Sequence, residues 1–185
     1  MTAFSRRRFL AAASAPLALS ACANGIGSDG GARIDARVDA AFNFMYDRLP
    51  QSQVLAQKAS GVLMMPLVTE AGLGLGGAFG RGALRIDGVT VDYYSTAAAS
   101  AGLQIGAQQY SHALFFMTDR ALQDFRSSSG WVAGADLEYA VINNTGALTT
   151  DTTTLLTPVV AVVFGQAGLI AGASVEGAKY TRIIP

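Results

Sequence analysis

Cys22 is the only cysteine in this 185-residue chain, and as a thiolate it would be its strongest nucleophile. His112 is the only histidine. A serine–histidine–acid relay would have to run through it, and no Gly-x-Ser-x-Gly elbow is present to supply the serine. One histidine and one cysteine cannot furnish a zinc shell. Asp136 and Glu138 stand two apart on an expected strand, which puts them on one face; that face reads as a polar surface rather than a general acid and base. Gly72-Leu73-Gly74-Leu75-Gly76-Gly77 fits the Gly-x-Gly-x-x-Gly pattern of a dinucleotide loop. Such a loop needs a strand before it, a helix opening from it and an acid about 20 residues on. Here Gly80, Gly82 and the strand-like Ala83-Leu84-Arg85-Ile86 follow, and Ala97 stands where the acid would be. Catalysis, metal binding and a cofactor are therefore not expected.

The chemistry left to Cys22 is set by its neighbours. Arg6-Arg7-Arg8 precedes an Ala/Leu-rich stretch from Leu10 to Leu19, and Leu19-Ser20-Ala21-Cys22 closes it. A charged start, a short apolar middle and a small-residue end are the parts of an export signal. The apolar part is too short to cross a bilayer core of about 30 Å. Leu-Ser-Ala-Cys resembles a bacterial lipobox, in which cleavage leaves the cysteine as the new N-terminus with an acylated thiol. Ser5-Arg6-Arg7-Arg8-Phe9-Leu10 resembles the twin-arginine export address, read by a receptor that carries folded cargo. Ala23 follows the cysteine where an inner-membrane retention signal would place Asp, so the outer membrane, facing the periplasm, is the expected destination. Residues 1–21 are then the export signal. Residues 22–33 are the lipidated cysteine and a Gly/Ser-rich tether reaching about 15–20 Å.

Removing residues 1–21 takes Arg6, Arg7 and Arg8 and no acid, leaving 10 basic against 13 acidic residues, net −3. Without a basic excess the chain is not expected to bind nucleic acid. With its one cysteine acylated it can form no internal disulfide, so stability has to come from a core. Residues 34–185 amount to one domain, of a size that buries about 70% of its unfolded surface.

Ile34, Val38, Ala41, Phe42, Met45 and Leu49 recur at helical spacing, and Pro50 stops the helix. Ser52 is a candidate N-cap for a second, short helix through Ala59. From Val62 the pattern becomes strand-like. Val62–Val68 is interrupted by Pro66 and suits an edge. Val89–Tyr94 alternates in part, Leu103–Gln108 alternates cleanly, and His112–Met117 is apolar on both faces. Thr118 is a candidate N-cap for a short helix over 119–125, followed by a Ser/Gly loop. Runs at 131–141, 159–164, 168–175 and 179–184 complete the body. Glycines recurring within strands, at 72–82, 102/106 and 168/172, mark curvature or close backbone approach. The expected fold is α+β: N-terminal helices, then a strongly curved, mostly antiparallel, barrel-like sheet with one short inserted helix.

The stretches Ala59-Ser60-Gly61-Val62, Ala71–Gly77, Ala101–Gln108, Phe115–Asp119 and Gly168–Gly172 resemble, in order, those of the SYLF-domain (yeast actin-binding domain) family, in its bacterial lipoprotein branch. The resemblance spans nearly all of 34–184 and implies lipid binding, with phosphoinositides and actin as partners of the eukaryotic members. This chain lacks a lysine-rich tail, and actin is not expected as its partner. The expectation is a non-enzymatic, lipid-binding envelope lipoprotein whose partner is membrane phospholipid, anionic lipid included. The alternative is a scaffolding lipoprotein without a small ligand. The cations nearest the family motifs are Lys58, Arg81, Lys179 and Arg182, and the polar strand face Gln104/Gln108 could line a headgroup site. Lys179 and Arg182, three apart, do not share a face of a regular strand.

Overall fold

The computed structural model describes residues 28–134, 138–139, 157–165 and 175–185, with backbone alone at 73–75, 100–106 and 138–139. The export signal, Cys22, Asp136 and the run at 168–174 lie outside the described residues.

Two helices come first, α1 (Gly30–Arg48) and α2 (Gln51–Lys58). α1 begins four residues ahead of the apolar periodicity, so residues 30–33 of the expected tether form its first turn. It buries Ile34, Val38, Ala41, Phe42 and Met45, the expected stripe. Ser52 lies inside α2 rather than capping it. Its hydroxyl is fully buried and donates to the Leu49 carbonyl at 2.6 Å, while Pro50 holds the cap position with its fixed φ.

The sheet grows from one long hairpin, β1 (Gly61–Ile86) and β2 (Val89–Phe116), paired antiparallel along its length. Asp87 and Gly88 turn it with φ of 50° and 79°, the left-handed pair that matches strand twist in a two-residue hairpin. After β2 come α3 (Asp119–Ser127), β3 (Trp131–Val132), β4 (Glu138–Tyr139), β5 (Val159–Phe164) and β6 (Lys179–Ile183). β2 carries β1 on one side and both β5 and β6 on the other; β3 pairs with β6, and β4 runs parallel to β5. The expected α+β architecture, with its mostly antiparallel curled sheet, is what the chain forms. The segment Val62–Val68 pairs only with β2 among the described residues, and the register slips between Met65 and Val68, around Pro66. A proline there removes no ladder bond the sheet needs. Ser111 ties it down by donating to the Pro66 carbonyl at 2.7 Å.

Alternation along the strands sends side chains to two cores. Val62, Met64, Ala113, Phe115, Val160 and Val162 face outward into a layer closed by α1 and α2. Leu63, Met65, Leu114, Phe116 and Ala161 face inward, where the sheet curls over α3, Trp131 and Tyr180. The curl brings β1 against itself. A Cβ on Gly82 would collide with the Met64 carbonyl, and one on Gly80 would lie 2.7 Å from the Leu67 carbonyl oxygen. Glycine is required at these two positions because backbone passes over backbone. Thr118 caps α3 as expected, accepting from the Ala121 amide at 3.2 Å.

A polar clamp fixes α1 on the hairpin end. Asp35 accepts from Tyr93 at 2.8 Å and from Thr90 at 2.9 Å. Arg85 pairs with Asp39 at 2.7 Å and lies 5.5 Å over the Phe42 ring.

Candidate functional site

The registers Phe79↔Ala97, Ala97↔Lys179 and Lys179↔Val132 place four residues opposite one another on β1, β2, β6 and β3. Residues opposite across antiparallel neighbours share a face, so these four form one row, about 14 Å from end to end. All four are exposed. Phe79 and Val132, at the two ends, are each 53% exposed. The next row is Arg81, Ser95 and Thr181. Arg81 reaches back over the Phe79 ring at 6.0 Å, a cation–π contact. The Lys179 stem crosses Gly130, where a Cβ would come within 2.5 Å of its Cε. Glycine at 130 thus gives the lysine a groove along the face. Neither row contains a carboxylate, and among the described residues neither Arg81 nor Lys179 has an acidic partner. One row further on, Ala83 and Tyr93 pass under α1. The helix covers the outer sheet face there and leaves the Phe79 and Arg81 rows bare.

Residues 97–182 match the family model described as Ysc84, Las17-binding protein actin regulator. Over these residues the chain is similar to the SYLF-domain family. No curated protein matches the chain. The matched segment supplies β2 from Ala97 onward, α3, β3, β4, β5 and most of β6, and with them Lys179 and Val132; Phe79 and Arg81 come from the strand before it.

The remaining candidates lie elsewhere around the matched segment. Arg182 takes the opposite face of β6 from Lys179, as the spacing requires, and sits 3.5 Å from Asp92, which also holds Arg126 at 3.0 Å. Gln108 donates to Glu70 at 2.8 Å on the neighbouring strand, a cross-strand brace at the sheet's far end. Gln104 falls where the β1–β2 register slips, and its side chain is outside the described residues. Lys58 is exposed in the last turn of α2, on the helical layer rather than the bare strands. Of the six polar candidates, then, the fold brings Arg81 and Lys179 to one face.

His112 lies in the inner core. It is 1% exposed, with Nε2 2.8 Å from the Tyr180 hydroxyl and Nδ1 without a hydrogen-bond partner among the described residues. Burial pushes its pKa down to about 3. Among the described residues no group of three or more His, Cys, Asp or Glu side chains could hold a metal, and no helix is long and apolar enough to cross a membrane.

Sequence reading missed Phe79 and Val132. Each looks like an ordinary strand residue until the register joins them; the only local signal is Phe79-Gly80-Arg81, an aromatic and a cation two apart on one strand face.

Proposed function

We propose that this protein is a non-enzymatic, lipid-binding lipoprotein of the bacterial envelope, anchored through Cys22 in the outer membrane and facing the periplasm, whose bare outer sheet face rests on phospholipid. The reading is carried by one observation: Phe79, Ala97, Lys179 and Val132 line up across four strands, with Arg81 over Phe79 and no carboxylate in either row. On a mature chain of net −3, a face whose only charges are cations and which exposes apolar side chains beside them matches an anionic, oil-backed surface.

The magnitudes are modest. Fully burying a large apolar side chain contributes about 1.5–3 kcal/mol, so two half-exposed ones have roughly 1.5–3 kcal/mol between them left to gain. Two cations near an anionic leaflet add about 1 kcal/mol each, screened beyond a Debye length of about 8 Å. Apolar and charged contributions are therefore comparable, and together too small for stable attachment. The acyl chains on Cys22, at about 0.8 kcal/mol per buried CH₂, supply the attachment, and the sheet face sets the orientation.

Cys22→Ser tests the anchor. The variant should appear in the soluble periplasmic fraction; retention in the membrane fraction after a high-salt wash would show a second anchor. The unacylated variant should still bind anionic vesicles weakly and reversibly, with affinity falling as salt is raised. A scaffolding lipoprotein without a lipid ligand would show no vesicle binding at all.

A further inference from the structure

A groove of about 630 Å³ opens between α1, α2 and the tip of the β1–β2 hairpin, beside the Arg85–Asp39 clamp. This volume is within the range of small-molecule sites. Phe42, Ala56 and Val62 form an apolar floor. Around it stand the side-chain amides of Asn43, Gln53 and Gln57, all exposed and none hydrogen-bonded to protein among the described residues. Each amide offers donors and an acceptor to whatever enters. Tyr46 adds a phenol kept protonated, its pKa raised by burial despite the nearby Arg85.

The charges select the ligand. Asp39 and Asp87 line the groove against a single cation, Arg85, already committed to Asp39 at 2.7 Å and within 3.4 Å of the Thr90 hydroxyl. Asp39 and Arg85 offset each other, so Asp87 leaves the groove with one net negative charge, which disfavours phosphate and carboxylate groups. The Arg85 clamp onto Asp39, Thr90 and Phe42 also holds one wall rigid, so little ordering would oppose binding. An apolar floor under a ring of solvent-facing amides suits a molecule with C–H faces and hydroxyl edges. We infer that this groove binds a neutral, hydroxyl-rich ligand of mono- or disaccharide size, through Asn43, Gln53, Gln57 and Tyr46. No residue of the groove belongs to the Phe79 or Arg81 rows, so this site stands or falls independently of the lipid reading.

The test is a titration of the ¹⁵N-labelled, full-length Cys22→Ser chain, followed by amide NMR shifts. The probes are chitobiose, cellobiose and trehalose, with inorganic phosphate as a separate arm. At least one disaccharide should give saturating shifts confined to the neighbourhood of Asn43, Tyr46, Gln53 and Gln57, with a Kd of about 1 mM. Combined Asn43→Ala and Gln57→Ala, both exposed and unpartnered so that folding is preserved, should weaken it about tenfold or more, roughly 1.4 kcal/mol. The inference is overturned if none of the three sugars saturates up to about 20 mM, if phosphate produces the same shifts, or if the double variant binds sugar as well as its parent.

Discussion

Acid should unfold this protein through His112 before it does so through most surface groups. The imidazole is fully enclosed in the inner core, and burial lowers its pKa from 6.5 to about 3. In the unfolded chain it takes a proton near pH 6.5; in the folded chain it resists until about pH 3. The unfolded state therefore binds the proton first. The histidine costs no stability above pH 6.5, erodes it as pH falls through the window from 6.5 to about 3, and adds nothing further below that. At about 1.4 kcal/mol per pH unit, the loss between pH 7 and pH 5 is about 2 kcal/mol, a sizeable part of a typical domain's 5–15 kcal/mol. His112→Leu removes the titration. It also removes the 2.8 Å hydrogen bond to Tyr180, a cost of about 1 kcal/mol at pH 7. Urea unfolding of both proteins at pH 7, 6 and 5 should show the variant less stable at neutral pH and the gap closing or reversing by pH 5. Two stability curves that run parallel from pH 7 to 5 would refute the reasoning.

Glycine substitutions should split sharply by position. Gly82→Ala forces a methyl against the Met64 backbone carbonyl and should cost about 3 kcal/mol or more, read as a Tm drop of roughly 6–12 °C. Gly77→Ala, whose Cβ would meet only the Ala98 carbonyl oxygen at 3.6 Å, should change Tm by no more than a degree or two in either direction, about 0.5 kcal/mol; equal losses would mean that the close approach within β1 is not what limits the fold. Thr118→Ala should lower stability by about 1 kcal/mol through loss of the α3 cap, with Thr118→Ser recovering most of it in chemical denaturation.

Much of the architecture was legible in the sequence because its signals are local. The Ile34–Leu49 stripe, the stop at Pro50 and the Thr118 cap each depend on neighbours within one or two turns. The curvature was legible too: glycines spaced through β1 mark curvature or close approach, and Gly80 and Gly82 show what approaches. Ser52 went differently because a buried hydroxyl at the start of a helix can turn back to the preceding carbonyl as readily as it can cap. The hairpin length was harder. Local alternation reads as several short strands between 62 and 117, whereas one register runs through them with three slips. The bare outer face was legible only in part. Arg81 and Lys179 stand 98 residues apart, and nothing local says that β2 carries one on each side; only the pairings Arg81↔Ser95 and Ala97↔Lys179 bring them to one face. The same pairings expose Phe79 and Val132 and send Arg182 to the other face, toward Asp92.

The central claim, that the bare outer face contacts phospholipid, is tested most directly by vesicle co-sedimentation of the Cys22→Ser chain and three derivatives, on anionic and zwitterionic vesicles. Arg81→Gln with Lys179→Gln should lose about tenfold or more in affinity on anionic vesicles and little on zwitterionic ones, following about 1 kcal/mol per cation. Phe79→Ala with Val132→Ala should weaken binding to both vesicle types. Lys58→Gln, on the helical layer, should bind like its parent. If Lys58→Gln lowers binding as much per charge as the Arg81/Lys179 pair, or if neither pair changes it, the outer sheet face is not the lipid-contacting surface.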